Sequence, residues 1–314
     1  MNIVFFGTSE FAIPALRELL NSRHKVLAVV TQPDRKKGRK LRVSPPPTKV
    51  LALTQNIFVY QPKDISSRES VAYLKKLNAD MFIVVSFGQI LKKEVISIPK
   101  LFCVNLHGSL LPKYRGAAPT NWAIINGDKL SGISIIKMNE KMDEGDIILK
   151  KEVVIDDEDT NITLSEKLSE VGANALLEVI DLTEIKRDIT FVKQDNAQAT
   201  YAPKLKKEDG LIDWNESATK IHNKVRGLLP WPGAYTHYEG KVLKVLQTEA
   251  LNSATAAKGI TTGEVVDIIK NIGIIVRTSW GDLVIKYLQL EAKKILDVDS
   301  FIRGHRIERG YIFK

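Results

Sequence analysis

The 314 residues exceed the usual size of one hydrophobic core and predict two domains. Charged residues at 26% and apolar residues at 44% mark a folded chain and exclude a disordered one. No run reaches the roughly 20 apolar residues that a membrane span needs, and the lone Cys103 excludes an internal disulfide and any multi-cysteine metal site. The opening MNIVFFGTSE carries no basic leader before its apolar stretch, so the expectation is a cytoplasmic protein without a signal peptide. The formal charge of +9 suits a phosphate-bearing partner, and equally an ordinary basic cytosolic surface.

Four short runs rich in Val, Ile and Phe come first: Ile3 to Phe6, Val26 to Thr31, Met81 to Phe87 and Phe102 to His107. Helix-length segments separate them. The pattern predicts a Rossmann-like α/β fold, a mostly parallel sheet with helices on both faces. Gly7-Thr8-Ser9 reads as a tight strand-to-helix turn, but one glycine stands where a dinucleotide fingerprint needs three, so NAD binding is not inferred. Ile133 to Met138 reads as another strand, and Asn139 to Asp146 (NEKMDEGD) as an acidic loop. Leu164, Leu168, Val171, Ala175, Val179 and Leu182 recur at helical spacing, predicting a helix over 163–182 with Thr163 and Glu166 as a capping box.

A polar stretch at 195–207 reads as a linker, which divides the chain into domains at 1–194 and 208–314. Beyond Ala234 the strand-like runs 235–238, 242–246, 263–269, 272–278 and 283–290 predict a small, closed or nearly closed OB-like β-barrel.

Chemistry concentrates at Phe102-Cys103-Val104-Asn105-Leu106-His107-Gly108. A strand's period of two puts Phe102, Val104 and Leu106 on one face and Cys103, Asn105 and His107 on the other. Ligands of open α/β sheets bind at the carboxyl ends of strands, and Gly108 lets the chain leave the sheet there. Taken alone, Asn105 and His107 also fit an ordinary strand end with satisfied polar groups. Cys103 lies roughly 13 Å along the strand from His107, too far for proton transfer, and reads as core. Ser109 lacks the glycines of a nucleophile elbow. The loop Ser109 to Pro119 carries apolar residues between prolines and suits a pocket wall. The acidic loop shows no EF-hand spacing, and no transition-metal ligand set accompanies it.

Asn105-x-His107-Gly-Ser-Leu-Leu-Pro-x-Tyr-Arg-Gly-Ala-Ala-Pro, followed by Asp143-x-Gly145-Asp146, resembles the signature of the folate-dependent formyltransferase family. Phe6-Gly7-Thr8, Thr31-Gln32-Pro33-Asp34-Arg35, Phe87-Gly88-x-Ile90-Leu91 and Trp231-Pro232 match its layout along the chain. Lys141, Met142 and Glu144 depart from the family's pattern around the aspartate and leave Asp143 as the acid in register. The resemblance implies that Asn105, His107 and Asp143 are catalytic. It also implies 10-formyltetrahydrofolate as co-substrate, seated against Ser109, Leu110, Leu111 and Pro112 and against Phe87, Gly88, Gln89, Ile90 and Leu91, with no metal. Amine attack on a formyl carbon creates an oxyanion and a cationic nitrogen. Asn105 can donate to the former, His107 can move the proton of the latter, and a carboxylate at 143 can steady the imidazolium.

The acceptor is read elsewhere. Arg35, Lys36, Lys37, Arg39, Lys40 and Arg42 crowd into eight residues after the second strand. By composition this is either a solvated basic loop or a nucleic-acid contact. An insertion at this place resembles the loop by which some family members hold a tRNA acceptor arm, with Arg39 at the matching position. The resemblance thus implies initiator methionyl-tRNA as partner, while the lack of a long apolar run predicts no membrane and two complementary domains suit a monomer. The alternatives are an amine on a sugar nucleotide or ribonucleotide, and an RNA-binding protein without catalysis.

Overall fold

The β-branched and aromatic runs form strands whose neighbours cover both of their faces, so that Ile3, Val4, Phe5 and Phe6 are fully buried. The computed structural model describes residues 1–37, 42–185, 189–251 and 261–314, apart from the side chains of Lys37 and Arg42. The chain packs as two compact units. One comprises Met1–Pro119, Leu130–Val154 and Ser165–Ala202; the other comprises Thr120–Lys129, Ile155–Leu164 and Pro203–Lys314.

The first unit is built on a seven-stranded sheet of β1 (Asn2–Gly7), β2 (Lys25–Val30), β3 (Val59–Tyr60), β4 (Met81–Val85), β5 (Phe102–His107), β6 (Leu130–Lys137) and β7 (Asp146–Val154). Their spatial order is β7-β6-β5-β4-β1-β2-β3. From β5 to β3 all neighbours are parallel, as the alternation of strands and helices predicts. β6 runs antiparallel to β5, and β7 antiparallel to β6. The sequence reading did not anticipate β7. Its lysines and glutamate give an edge strand a polar outer face, which hides it among charged residues.

The long helix spans Asn161–Glu184 rather than 163–182, and its cap is not the predicted one. Thr160 Oγ1 accepts from Thr163 N at 3.3 Å, and Thr163 Oγ1 accepts from Thr160 N at 3.0 Å. Thr163 is therefore the returning member of the box, three residues inside. The first turn is solvent-facing and adds nothing to the apolar period, so periodicity starts too late.

In the second unit β8 (Ala234–Tyr238), β9 (Lys241–Leu251), β10 (Val265–Ile269), β11 (Gly273–Arg277) and β12 (Asp282–Leu290) pair antiparallel in the order β8-β9-β12-β11-β10. The last residues close this sheet. Val265 N donates to Tyr311 O at 2.7 Å and Phe313 N to Gly263 O at 2.9 Å on one edge, and His237 N donates to Lys314 O at 3.1 Å on the other. The buried Phe313 ring stacks on Trp214 with centroids 5.8 Å apart, and Trp214 Nε1 donates to Thr236 Oγ1 at 3.2 Å. A helix at Ala218–Gly227, absent from the sequence reading, buries Ala218, Ile221 and Val225 at helical spacing.

Phe313→Ala removes the ring that joins the terminal strap to Trp214. A loss of about 3–5 kcal/mol from the second unit is expected, read as a lower urea midpoint of Trp fluorescence. An unchanged midpoint would mean that the strap does not hold the sheet closed.

Candidate active site

On β5 the predicted alternation places Asn105 and His107 on one face, and His107 is buried. His107 Nε2 lies 2.9 Å from Tyr114 O. A carbonyl only accepts, so Nε2 carries the hydrogen and Nδ1 of the neutral ring keeps its lone pair. That Nδ1 faces Asp143 Oδ1 at 3.7 Å. Asn105 Nδ2 reaches the same Oδ1 at 3.5 Å, while Gly116 N donates to Asp143 Oδ2 at 2.8 Å. Asn105, His107 and Asp143 thus converge from two segments 36 residues apart at their nearest, between His107 and Asp143.

The aspartate arrives by an unusual route. Because β6 is antiparallel to β5, its last residue, Lys137, pairs with Val104, before the end where the other loops leave the sheet. The following loop must therefore fold back over β5. Asp143 sits in the left-handed region at φ +54, a conformation that costs a non-glycine residue about 1–2 kcal/mol. A Cβ at Gly145 would stand 2.0 Å from Lys137 O, so only glycine lets the loop turn this closely. Lys141 N donates to Asn139 Oδ1 at 2.9 Å and Asn139 Nδ2 to Glu144 O at 3.2 Å, which ties the acidic loop internally.

The loop after β5 holds the histidine's carbonyl partner. Tyr114 is also left-handed at φ +60, and its N–H donates to Thr200 Oγ1 at 2.9 Å. Arg115 is 2% exposed. Its Nε and Nη2 donate to Gln194 Oε1 at 3.1 and 2.8 Å, Nη2 donates to Asn196 Oδ1 at 2.8 Å, and Nη1 lies 3.5 Å from Glu144 Oε1. The sequence reading gave Gln194, Asn196 and Thr200 no role. The available signal was indirect: an arginine in an apolar loop needs acceptors, but nothing local says that they come from some 80 residues downstream.

The residues expected to line a folate site divide by exposure. Phe87, Leu91, Ser109 and Leu111 point inward; Leu111 packs on Ile136 and Ile147, and Ser109 Oγ donates to Lys113 O at 2.6 Å. Gln89 braces the preceding segment, accepting from Ile65 N at 2.9 Å and donating to Pro62 O at 3.2 Å. Gly88 and Ile90 are exposed, and Leu110 and Pro112 are half-buried. Beside Gly88 lies Gln32, whose buried Nε2 has no partner among the described residues.

Of the basic residues, Arg35 and Lys36 are exposed, and Arg35 Nη2 donates to Gln32 Oε1 at 3.1 Å. Arg35–Lys37 pairs antiparallel with Arg42–Ser44. Arg39 and Lys40 lie outside the described residues. Cys103 is buried in the core against Met138, and burial pushes its thiol far above the usual range. Among the described residues His24, Asp181 and Glu184 gather ligand atoms within 4.8 Å, but the ammonium of Met1 and Arg23 already pair with these carboxylates.

Residues 1–180 match the formyl transferase profile, and residues 204–306 match that of the formyl transferase C-terminal domain. A methionyl-tRNA formyltransferase of Citrifermentans bemidjiense is 46% identical over 311 residues, covering 99% of this chain and 95% of its own. In fold the chain is similar to WlaRD, a sugar 3N-formyl transferase studied with dTDP and 5-N-formyl-THF, at TM-score 0.67 and 19% identity over 94% of this chain and 99% of that one. It is also similar to a methionyl-tRNA formyltransferase from Clostridium thermocellum, at TM-score 0.57 and 21% identity over 92% and 98% of the two chains. With both profiles matched in order and a relative of that identity along nearly its whole length, the chain belongs to the formyl transferase family.

Proposed function

We propose that this chain moves the formyl group of 10-formyltetrahydrofolate onto the amino group of methionine esterified to initiator tRNA, and that it works as a monomer. The observation that carries the reading is the imidazole of His107, held at Nε2 by Tyr114 O and facing Asp143 with its free Nδ1, with Asn105 alongside. The relatives at 43 to 46% identity over nearly the whole chain, all methionyl-tRNA formyltransferases, support the acceptor. The sugar formyltransferases share only the fold.

The amine is itself the nucleophile, so no covalent enzyme intermediate is needed. One hydrogen of Asn105 Nδ2 is directed at Asp143; the other is available to the developing oxyanion, an interaction typically worth about 3 kcal/mol. His107 takes the amine's proton at Nδ1, since Nε2 is occupied by its bond to Tyr114 O, and returns it to the departing nitrogen. Asp143 stabilises the imidazolium formed in between. The folate lies against Gly88, Ile90, Leu110 and Pro112, with Phe87, Leu91, Ser109 and Leu111 shaping the wall from behind and Gln89 fixing it. The unspent amide hydrogens of Gln32 fit a polar ligand at this end of the sheet. No step calls for a metal. Arg35, Lys36, Lys37, Arg39, Lys40 and Arg42 hold the acceptor arm through its phosphates.

Competition decides the acceptor. With labelled 10-formyltetrahydrofolate, label is expected on initiator methionyl-tRNA in the presence of an amino sugar nucleotide and glycinamide ribonucleotide. Label on a small amine alone would overturn the reading.

Replacing Arg39 and Lys40 together by Ala is expected to raise KM for the tRNA and lower the slope of log(kcat/KM) against log[salt] by about one to two, with folate binding unchanged. Identical salt slopes in the two proteins would remove the loop from the tRNA contact.

A further inference from the structure

The two family profiles leave residues 181–203 between them, and the segment carries no assigned role. From Gln194 onward its contacts are nevertheless with the loops of Asp143 and Tyr114. Val192 pairs antiparallel with Ile147 as a single bridge, with Ile147 N donating to Val192 O at 2.8 Å and Val192 N to Ile147 O at 2.9 Å. Two residues on, Gln194 Nε2 donates to Asp143 O and to Gly145 O, both at 2.7 Å. Each amide hydrogen thus holds one carbonyl of the loop that presents the carboxylate. Gln194 Oε1 faces the other way and accepts from Arg115. Thr200 Oγ1 then accepts from Tyr114 N, Thr200 O accepts from Arg115 N at 2.8 Å, and Ala202 O accepts from Ala117 N at 2.9 Å.

We propose that Gln194 and Thr200 are positioning residues for formyl transfer, clamping the two loops whose groups fix the His107 imidazole. The inference rests on the function proposed above. Gln194 sets the backbone of Asp143, and hence which carboxylate oxygen faces His107 Nδ1 and Asn105. Thr200 sets the backbone of Tyr114, and hence the carbonyl that selects the Nε2–H tautomer. Both loop residues have positive φ, a conformation that a short loop gives up readily when outside contacts are removed. Gln194 is half-buried and Thr200 is exposed, so neither supports a large core. Their substitution reports on geometry rather than on folding.

The test uses the full-length protein as Gln194→Ala, Gln194→Glu, Thr200→Val and Thr200→Ser, with Lys193→Ala, an exposed neighbour, as control. Single-turnover formylation of initiator methionyl-tRNA, KM for each substrate and the ¹⁵N spectrum of the His107 ring are measured for each. Gln194→Ala and Thr200→Val are expected to slow transfer about 10- to 100-fold with both KM values within twofold, as a misplacement of about 1 Å does. Thr200→Ser restores the rate because it keeps the acceptor oxygen. Gln194→Glu does not restore it, because it keeps Arg115's partner but loses both donors to the Asp143 loop. In the spectrum the single Nε2–H form of the wild type gives way to tautomer exchange in Thr200→Val. Rates within twofold of wild type, together with an unchanged His107 spectrum, would overturn the clamp. The spectrum reads the clamp independently of the substrate: a wild type that formylates no tRNA while Thr200→Val still frees the tautomer would fail the functional reading and uphold the positioning.

Discussion

A buried guanidinium cannot be left short of acceptors, and Arg115 organises the first unit around that requirement. Taking a charge out of water costs several kcal/mol unless its donors are met, so the chain must bring Gln194, Asn196 and Glu144 to it. Each of these partners belongs to a segment that also shapes the proposed catalytic centre. Glu144 follows Asp143, Gln194 holds the carbonyls of Asp143 and Gly145, and Arg115 itself follows Tyr114 and precedes Gly116, whose N–H binds the aspartate. Satisfying one charge therefore registers three stretches of chain against one another. The geometry proposed for catalysis is a by-product of that registration.

The sheet supplies the second condition. Its parallel half sends loops out at one end, where an α/β sheet ordinarily binds ligands. Its antiparallel half sends the loop after β6 in the opposite direction, and the left-handed Asp143 and the glycine at 145 bend it back across β5. The acid reaches His107 over the face of the strand instead of along its end. A substrate held by the outgoing loops would thus meet an acid-base pair assembled from both kinds of connection.

Much of this was legible in the sequence, where local periodicity or a long motif carried it. The alternation in FCVNLH placed Asn105 and His107 on one face, and the parallel sheet followed from the spacing of four apolar runs. Cys103 was correctly set aside, since thirteen or so ångströms along a strand is a covalent fact before it is a structural one. What stayed hidden depended on distant partners. Nothing near Gln194 announces that it holds the loop of Asp143, 51 residues back, and nothing in the polar stretch read as a linker announces that its Thr200 holds Tyr114, 86 residues away. Asp143 was in register only by resemblance, since its approach depends on the direction of β6. Leu111 looked like a pocket residue by composition, but Ile136 and Ile147 draw it inward. The helix cap was misplaced by three residues because solvent-facing turns leave no apolar period.

The central claim is that His107 and Asp143 act as one acid-base unit rather than as two independent contributors. A double-mutant cycle on the single-turnover transfer rate tests it most directly, with His107→Ala, Asp143→Asn and the pair together. Each single change is expected to slow transfer by about 10²- to 10⁴-fold, and the double change by little more than the worse single one. Losses that multiply, or an Asp143→Asn rate close to wild type, would contradict it.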